Sequence, residues 1–283
     1  MRYSRIFAIM LSLILMPGEG KGAQVTKPVL ARKPEKQKVL FLTNSTFHAH
    51  GGCMIPFNGY CSEAGVHYEA SGSYRHLEAT REGKRISPYL AGQIEDQRIL
   101  DLIKKGNFDY VVLVTRHGSL ATDAGAKEEI AAFGKMHEHI VRSGAQTVVS
   151  VSYITRNATH DARRKARNLA KHRELKVALD KLEIKGKKHP IILVPTGVLW
   201  AEGAERFGVN TWFADSVHGT PLAQHASGCL FFTFITGKDP RKNVHVDLFS
   251  ERRFPARKLS VQQAKWLRDQ VWALYREQAE KKR

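Results

Sequence analysis

In the stretch KVLFLTNST, Lys38 to Thr46, four consecutive apolar residues give way without transition to Thr43-Asn44-Ser45-Thr46. A short continuous apolar run bounded by turn formers reads as a strand buried on both faces, the kind found in parallel sheets covered by helices. The pattern recurs outward along the chain, as VHYEA at 66–70, YVVLV at 110–114, TVVSV at 147–151 and PIILV at 190–194. Between these runs lie helical patterns at 94–105, 124–142 and 162–184, followed by Gly106, Gly144 and Gly186 where a helix C-cap places a glycine. A further helix over 222–236 stops before Gly237. The segment 259–276 carries Val261, Ala264, Leu267, Val271 and Leu274 at helical spacing, with Trp266 and Trp272 nearby, as a helix closing the sheet would.

Strands alternating with helices predict a mostly parallel, five-stranded sheet with right-handed crossovers, in a three-layer α/β/α sandwich. In such a sheet ligands bind beyond the carboxyl ends of the strands, and Ser45 lies just past that end of the first one. Two readings of Ser45 follow from this stretch alone. It is a nucleophile placed at a strand end, or Asn44, Ser45 or Thr46 merely caps the next helix.

With 42% hydrophobic and 25% charged residues, the 283-residue chain suits one large globular domain over 38–283. Residues 1–23 stand apart. Arg2 and Arg5 precede an apolar run from Ile6 to Met16, and Gly20 and Gly22 follow as a small-residue pair. These are the parts of a secretory signal peptide, and the run is too short to span a bilayer. The expected setting is periplasmic or extracellular, with no transmembrane span after the signal is removed; an uncleaved anchor is the alternative. A polar, Lys-containing and Pro-containing linker occupies 24–37.

Only Cys53, Cys61 and Cys229 are available for disulfides, an odd number. On a continuous helix Cys53 and Cys61 would stand about 12 Å apart, too far to bridge, although Pro56 and Gly59 could interrupt that helix. They read as buried small apolar residues rather than a scaffold or a metal site. The net charge of +18 suits polyanions such as an acidic polysaccharide or an anionic envelope surface. Nucleic acid is disfavoured, because no zinc-finger, RNP or basic-zipper pattern is present. The basic runs also read as solvated faces. No period of 20 to 50 residues marks a repeat architecture.

A serine nucleophile needs an imidazole to take its proton and a carboxylate to fix that imidazole's tautomer. The stretch Trp212-Phe213-Ala214-Asp215-Ser216-Val217-His218-Gly219-Thr220-Pro221 supplies both. Asp215 stands three residues before His218, in a loop ahead of a helix starting near Pro221, and can fold back so that its carboxylate meets the ring Nδ1. Alone the triplet is weak: an Asp can cap that helix, and a lone His is more often structural.

With these blocks in their order, VLFLTNST, FDYVVL and FADSVHGTPLAQHASGCLFFTFITGKDP, the chain resembles the SGNH (GDSL-type) hydrolases. The resemblance covers roughly 38–240 and is most specific in the last block. It implies the flavodoxin-like sandwich of that family and a triad of Ser45, His218 and Asp215. It also implies an oxyanion hole from the backbone N–H groups of Ser45 and Gly72, the glycine after the second strand. The family's third donor, an amide side chain after the third strand, has no counterpart in Thr115-Arg116-His117-Gly118; Arg116 or His117 would supply it. One oxyanion donor is worth about 3 kcal/mol of barrier. Thr43 replaces the family's usual Gly, and Gly219-Thr220 its usual Pro-Ser.

His48-Ala49-His50 lacks acidic or Cys companions for a metal site, so no metal is expected there. His48, Arg75 and His117 read instead as substrate contacts at the cleft mouth, Arg75 being suited to a carboxylate or sulfate. No Gly-Lys-Ser/Thr follows Gly51-Gly52, so this is not a phosphate loop. No cofactor is expected. The function implied is an exported serine esterase that removes an acyl group, acetyl in the first instance, from a carbohydrate. The alternative is a catalytically inactive relative that binds an anionic glycan or an envelope surface.

Overall fold

The structure is a computed structural model that describes residues 37–48, 52–66, 68–72, 90–115, 122–151, 156, 170, 173–243 and 259–280. The signal peptide and nearly all of the linker lie outside the described residues, as do Arg75, Arg116 and His117. Strands β1 (Gln37–Leu42), β2 (Tyr68–Gly72), β3 (Tyr110–Val114), β4 (Gln146–Ser150) and β5 (Ile192–Val194) form one sheet in the order β2-β1-β3-β4-β5. Every neighbouring pair is parallel. β3 shows why: all five residues of YVVLV are buried, so both faces of the strand are covered.

The helices are α1 (Ser45–His48), α2 (Met54–Glu63), α3 (Leu90–Gln93), α4 (Gln97–Lys105), α5 (Asp123–Arg142), α6 (Thr196–Phe207), α7 (Val209–Trp212), α8 (Pro221–Thr236) and α9 (Val261–Glu280). They fall into two groups. α3 and α4 pack on α5, which lies on β4, while α2, α6, α7 and α9 gather around α8. Two helix groups about one parallel sheet are consistent with a three-layer α/β/α arrangement. No helix among the described residues is long and apolar enough to cross a membrane.

α8 is the central helix. It is apolar nearly all round, as a helix enclosed on every side must be. The Thr220 side chain caps it, Pro221 opens it where no N–H is needed, and Gly237 ends it at φ 69°. Midway, Gly228 lets α2 approach closely: a Cβ there would stand 2.7 Å from the Cys53 carbonyl oxygen and 2.6 Å from Pro56 Cγ. α2 itself runs unbroken through Pro56 and Gly59, because Pro56 sits in the first turn, where its missing N–H costs nothing. Cys53, Cys61 and Cys229 are all buried and none forms a disulfide, and burial pushes the Cys61 thiol up to about 12.

Three expectations need correcting. The second strand begins at Tyr68 rather than at Val66. The Val66 N–H, directly after Gly65 at φ 64°, bonds to the Cys61 carbonyl at 2.9 Å, so Val66 completes the stop of α2 and cannot yet join the sheet. The helix drawn over 162–184 does not reach Ile184. Residues 173–180 are helical, and Glu183–Ile184 then pairs antiparallel with Lys187–Lys188. Lys185 at φ 53° and Gly186 at φ 72° form the two-residue turn, so Gly186 serves a hairpin and not a helix cap. The linker also ends one residue early, since Gln37 already belongs to β1.

Candidate active site

The order β2-β1-β3 means that the chain leaves β1, builds β2 on one side, then returns to build β3 on the other. The carboxyl ends of β1 and β3 flank the point where the direction reverses, the place where open α/β sheets bind ligands. Ser45 is the first residue of α1, three residues beyond the end of β1. Capping falls to its neighbour. Buried Asn44 accepts the Thr46 N–H on Oδ1 at 3.1 Å, and donates from Nδ2 to the Thr115 carbonyl at 3.4 Å, tying the end of β1 to the end of β3. Asn44, one of the three candidate caps, therefore caps the start of α1. Gly72 closes β2 and is registered against Phe41 of β1, so its backbone lies at the same end of the sheet. His48 is the last residue of α1.

Asp215 and His218 occupy the tip of a narrow loop. Phe213 and Gly219 bridge its base, the Ala214 N–H reaches the His218 carbonyl at 2.9 Å, and the Thr220 N–H reaches the Trp212 carbonyl at 2.9 Å. The Arg156 N–H meets the Ser216 carbonyl at 3.0 Å. Within the tip, Asp215 Oδ1 accepts the N–H groups of Val217 and His218, both at 2.8 Å, and Oδ2 lies 2.6 Å from His218 Nδ1. Partial burial opposes ionisation of Asp215, but those backbone N–H groups and the ring outweigh it and hold the carboxyl down at about 2. The carboxylate is thus ionised at neutral pH and fixes the Nδ1 proton, which leaves the Nε2 lone pair as the basic site of the neutral ring.

Trp200, which the sequence did not single out, joins the two segments. Its ring centroid lies 5.8 Å from that of Phe47, two residues after Ser45, and 5.5 Å from that of Phe213 in the His218 loop. Its Nε1–H donates to Ser227 Oγ at 2.9 Å, which fixes the ring's orientation. A second tie runs from Gln224 Nε2 on α8 to the Thr46 carbonyl. Trp200 also explains the Gly after His218. A Cβ at Gly219 would stand 2.4 Å from Trp200 Cη2 and 2.9 Å from Ala223 Cβ, so a larger residue cannot fit beside this ring without displacing it. The Thr220 side chain caps α8, and its hydroxyl also donates to the Thr211 carbonyl at 2.6 Å. Gly219→Ala is accordingly expected to destabilise the fold by about 1–3 kcal/mol, since two packed groups must move. A denaturant midpoint equal to that of the unsubstituted protein would contradict this packing.

Among the described residues no group of three or more His, Cys, Asp and Glu side chains could hold a metal ion.

No family model matches this chain, and no curated protein does. Among solved structures, that of a DUF4886 family protein from Bacteroides uniformis ATCC 8492 is similar. It has 12% sequence identity over 84% of this chain and 93% of that one, with a TM-score of 0.58. At that identity the likeness is one of fold.

Proposed function

We propose that the protein is a serine esterase of the SGNH (GDSL-type) kind, which removes an acyl group, acetyl in the first instance, from a carbohydrate outside the cytoplasm. The observation that carries the reading is the Asp215–His218 pair: a 2.6 Å contact to Nδ1 with the carboxylate anchored by two backbone N–H groups. This is the arrangement a general base requires. Asn44 supports it by capping α1, with Ser45 following it just past a strand's carboxyl end.

In this mechanism Ser45 Oγ attacks the ester carbonyl while His218 Nε2 accepts its proton. The resulting oxyanion is held by the N–H groups of Ser45 and Gly72, with Arg116 or His117 as the third donor. Collapse expels the sugar hydroxyl, which takes the proton back from His218. Water then attacks the acyl-serine with His218 again as base, releasing the carboxylic acid and restoring Ser45. In this reading His48, Arg75 and His117 contact the carbohydrate. The flavodoxin-like sandwich of the SGNH family is part of the same proposal.

The third strand is followed by Thr115-Arg116-His117 in place of an amide, which favours one second reading: a non-catalytic relative that binds an anionic glycan. Hydrolysis of an aryl acetate by the protein and by its folded Ser45→Ala variant separates the two. The esterase loses its rate with Ser45, whereas the glycan binder has no rate to lose.

A further inference from the structure

α4 leads into β3, α5 into β4, and the ribbon Glu183–Ile184/Lys187–Lys188 into β5. Because β3, β4 and β5 lie side by side and parallel, these three connections adjoin at the amino ends of the strands, the end opposite Ser45. Each brings cations. Lys104 and Lys105 end α4, Arg142 ends α5, and Lys181, Lys185, Lys187 and Lys188 lie on and beside the ribbon, all exposed.

Several surface cations elsewhere are neutralised locally, as in Arg98–Asp96, Lys176–Asp180, Arg241–Asp239 and Lys265–Asp269. Lys105 and Arg142 are likewise tied to Asp101 and Glu138. Among the described residues no ion pair joins Lys104 or any of the four ribbon lysines to an acid; Glu183 stands across the ribbon from Lys188, and the lysines still leave an excess of positive charge on this face. The ribbon has a defined shape. Ile184 is buried beneath it, and the turn holds Lys185 in the left-handed region, which puts a lysine where Asn or Gly is usual.

The arrangement of the charges selects the partner. Lys187 and Lys188 are successive strand residues and point to opposite sides of the ribbon, with Lys185 at its tip. A flat lipid surface cannot meet all three, whereas a polymer passing over the tip can. The exposed large apolar residues among those described are Ile55, Leu102, Val177 and Val261, so no aromatic platform is offered on which nucleic-acid bases could stack. We propose that this amino-end face, centred on Lys181, Lys185, Lys187 and Lys188, binds a linear anionic polysaccharide at a site separate from the Ser45 end of the sheet.

Polygalacturonate, a linear carboxylated polysaccharide, is the probe, with neutral dextran as its control. Binding is compared for the unsubstituted protein, for Lys185→Glu/Lys187→Glu/Lys188→Glu, and for Lys127→Glu/Lys265→Glu/Arg276→Glu, which has the same net charge but alters other surfaces. At low salt the ribbon variant is expected to bind polygalacturonate at least about tenfold more weakly, with the dependence of log K on log salt shallower by about two to three. The equal-charge control stays within about threefold. Equal losses in the two variants would reduce the effect to net charge and overturn the proposal. So would failure of the unsubstituted protein to bind, or a ribbon-specific loss seen on duplex DNA or phosphatidylglycerol vesicles but not on polygalacturonate. Ser45→Ala is expected to bind as the unsubstituted protein does, so this proposal and the esterase reading fail independently.

Discussion

Ser45→Ala is expected to bring aryl-acetate hydrolysis down to the uncatalysed background, and Asp215→Asn to lower kcat by about four orders of magnitude with KM little changed. The second substitution is the more searching, because the loop geometry predicts how it fails. Asp215 uses Oδ1 for the N–H groups of Val217 and His218, and Oδ2 for the ring. An Asn can keep its carbonyl oxygen on the two N–H groups and so preserve the loop. Its amide nitrogen then faces Nδ1 and donates where the carboxylate accepted. The ring is driven into the tautomer protonated on Nε2, and the base is lost without loss of fold. His218→Ala should cost as much as Ser45→Ala, and the double variant no more than either, since the residues act as a unit. The measurements are kcat and KM for each variant, with near-ultraviolet circular dichroism to establish folding. Equal background rates in all of them would make Ser45 simply the first residue of α1 and turn attention to glycan binding.

What was legible in the sequence was local. YVVLV is bounded by Asp109 and Thr115, and β3 occupies those five residues because nothing nearby competes for them. The Asp215–His218 contact was legible for the same reason: three residues in one tight loop leave few ways for the carboxylate and the ring to avoid each other. Val66 misled because its side chain has strand character while its N–H is committed to the stop of α2. Gly186 misled because a left-handed glycine serves a helix cap and a hairpin turn equally well, and a ribbon of two residues per strand is too short to show a period.

Trp200 was beyond reach altogether. Its role depends on Phe47, Phe213 and Gly219 meeting around one ring, and no spacing in the chain encodes that meeting. The one trace it leaves is Gly219 directly after the histidine, and that glycine acquires a cause only when the ring is seen beside it. The choice among Asn44, Ser45 and Thr46 as cap was of the same kind. All three suit the position, and the Asn44 side chain wins because it can also reach the Thr115 carbonyl across the sheet.

Acidification from about pH 7 to about pH 5 is expected to cost about 4 kcal/mol of folding stability, through two buried histidines that lie away from Ser45. His137 on α5 has Nδ1 2.7 Å from Thr147 Oγ1, and burial, reinforced by nearby His189, holds its ring down at about 4. His225 on α8 has Nε2 3.1 Å from the Tyr60 hydroxyl, and burial, reinforced by Arg268, holds it at about 3. In the unfolded chain both return toward 6.5. Between that value and about 4, the unfolded state binds protons that the folded state refuses. Stability therefore rises with pH across this window and falls as the solution is acidified, by about 2 kcal/mol per histidine at pH 5. Asp215 has the opposite character: its folded value is depressed, so its contribution is intact at pH 5 and fades only as the pH drops below about 4 toward 2. Guanidinium midpoints at the two pH values read the effect directly. His137→Gln and His225→Gln are each expected to remove about half of the pH dependence, even if each lowers stability at pH 7. Unchanged dependence in both variants would place the acid sensitivity in other groups and contradict the neutral, buried state of these rings.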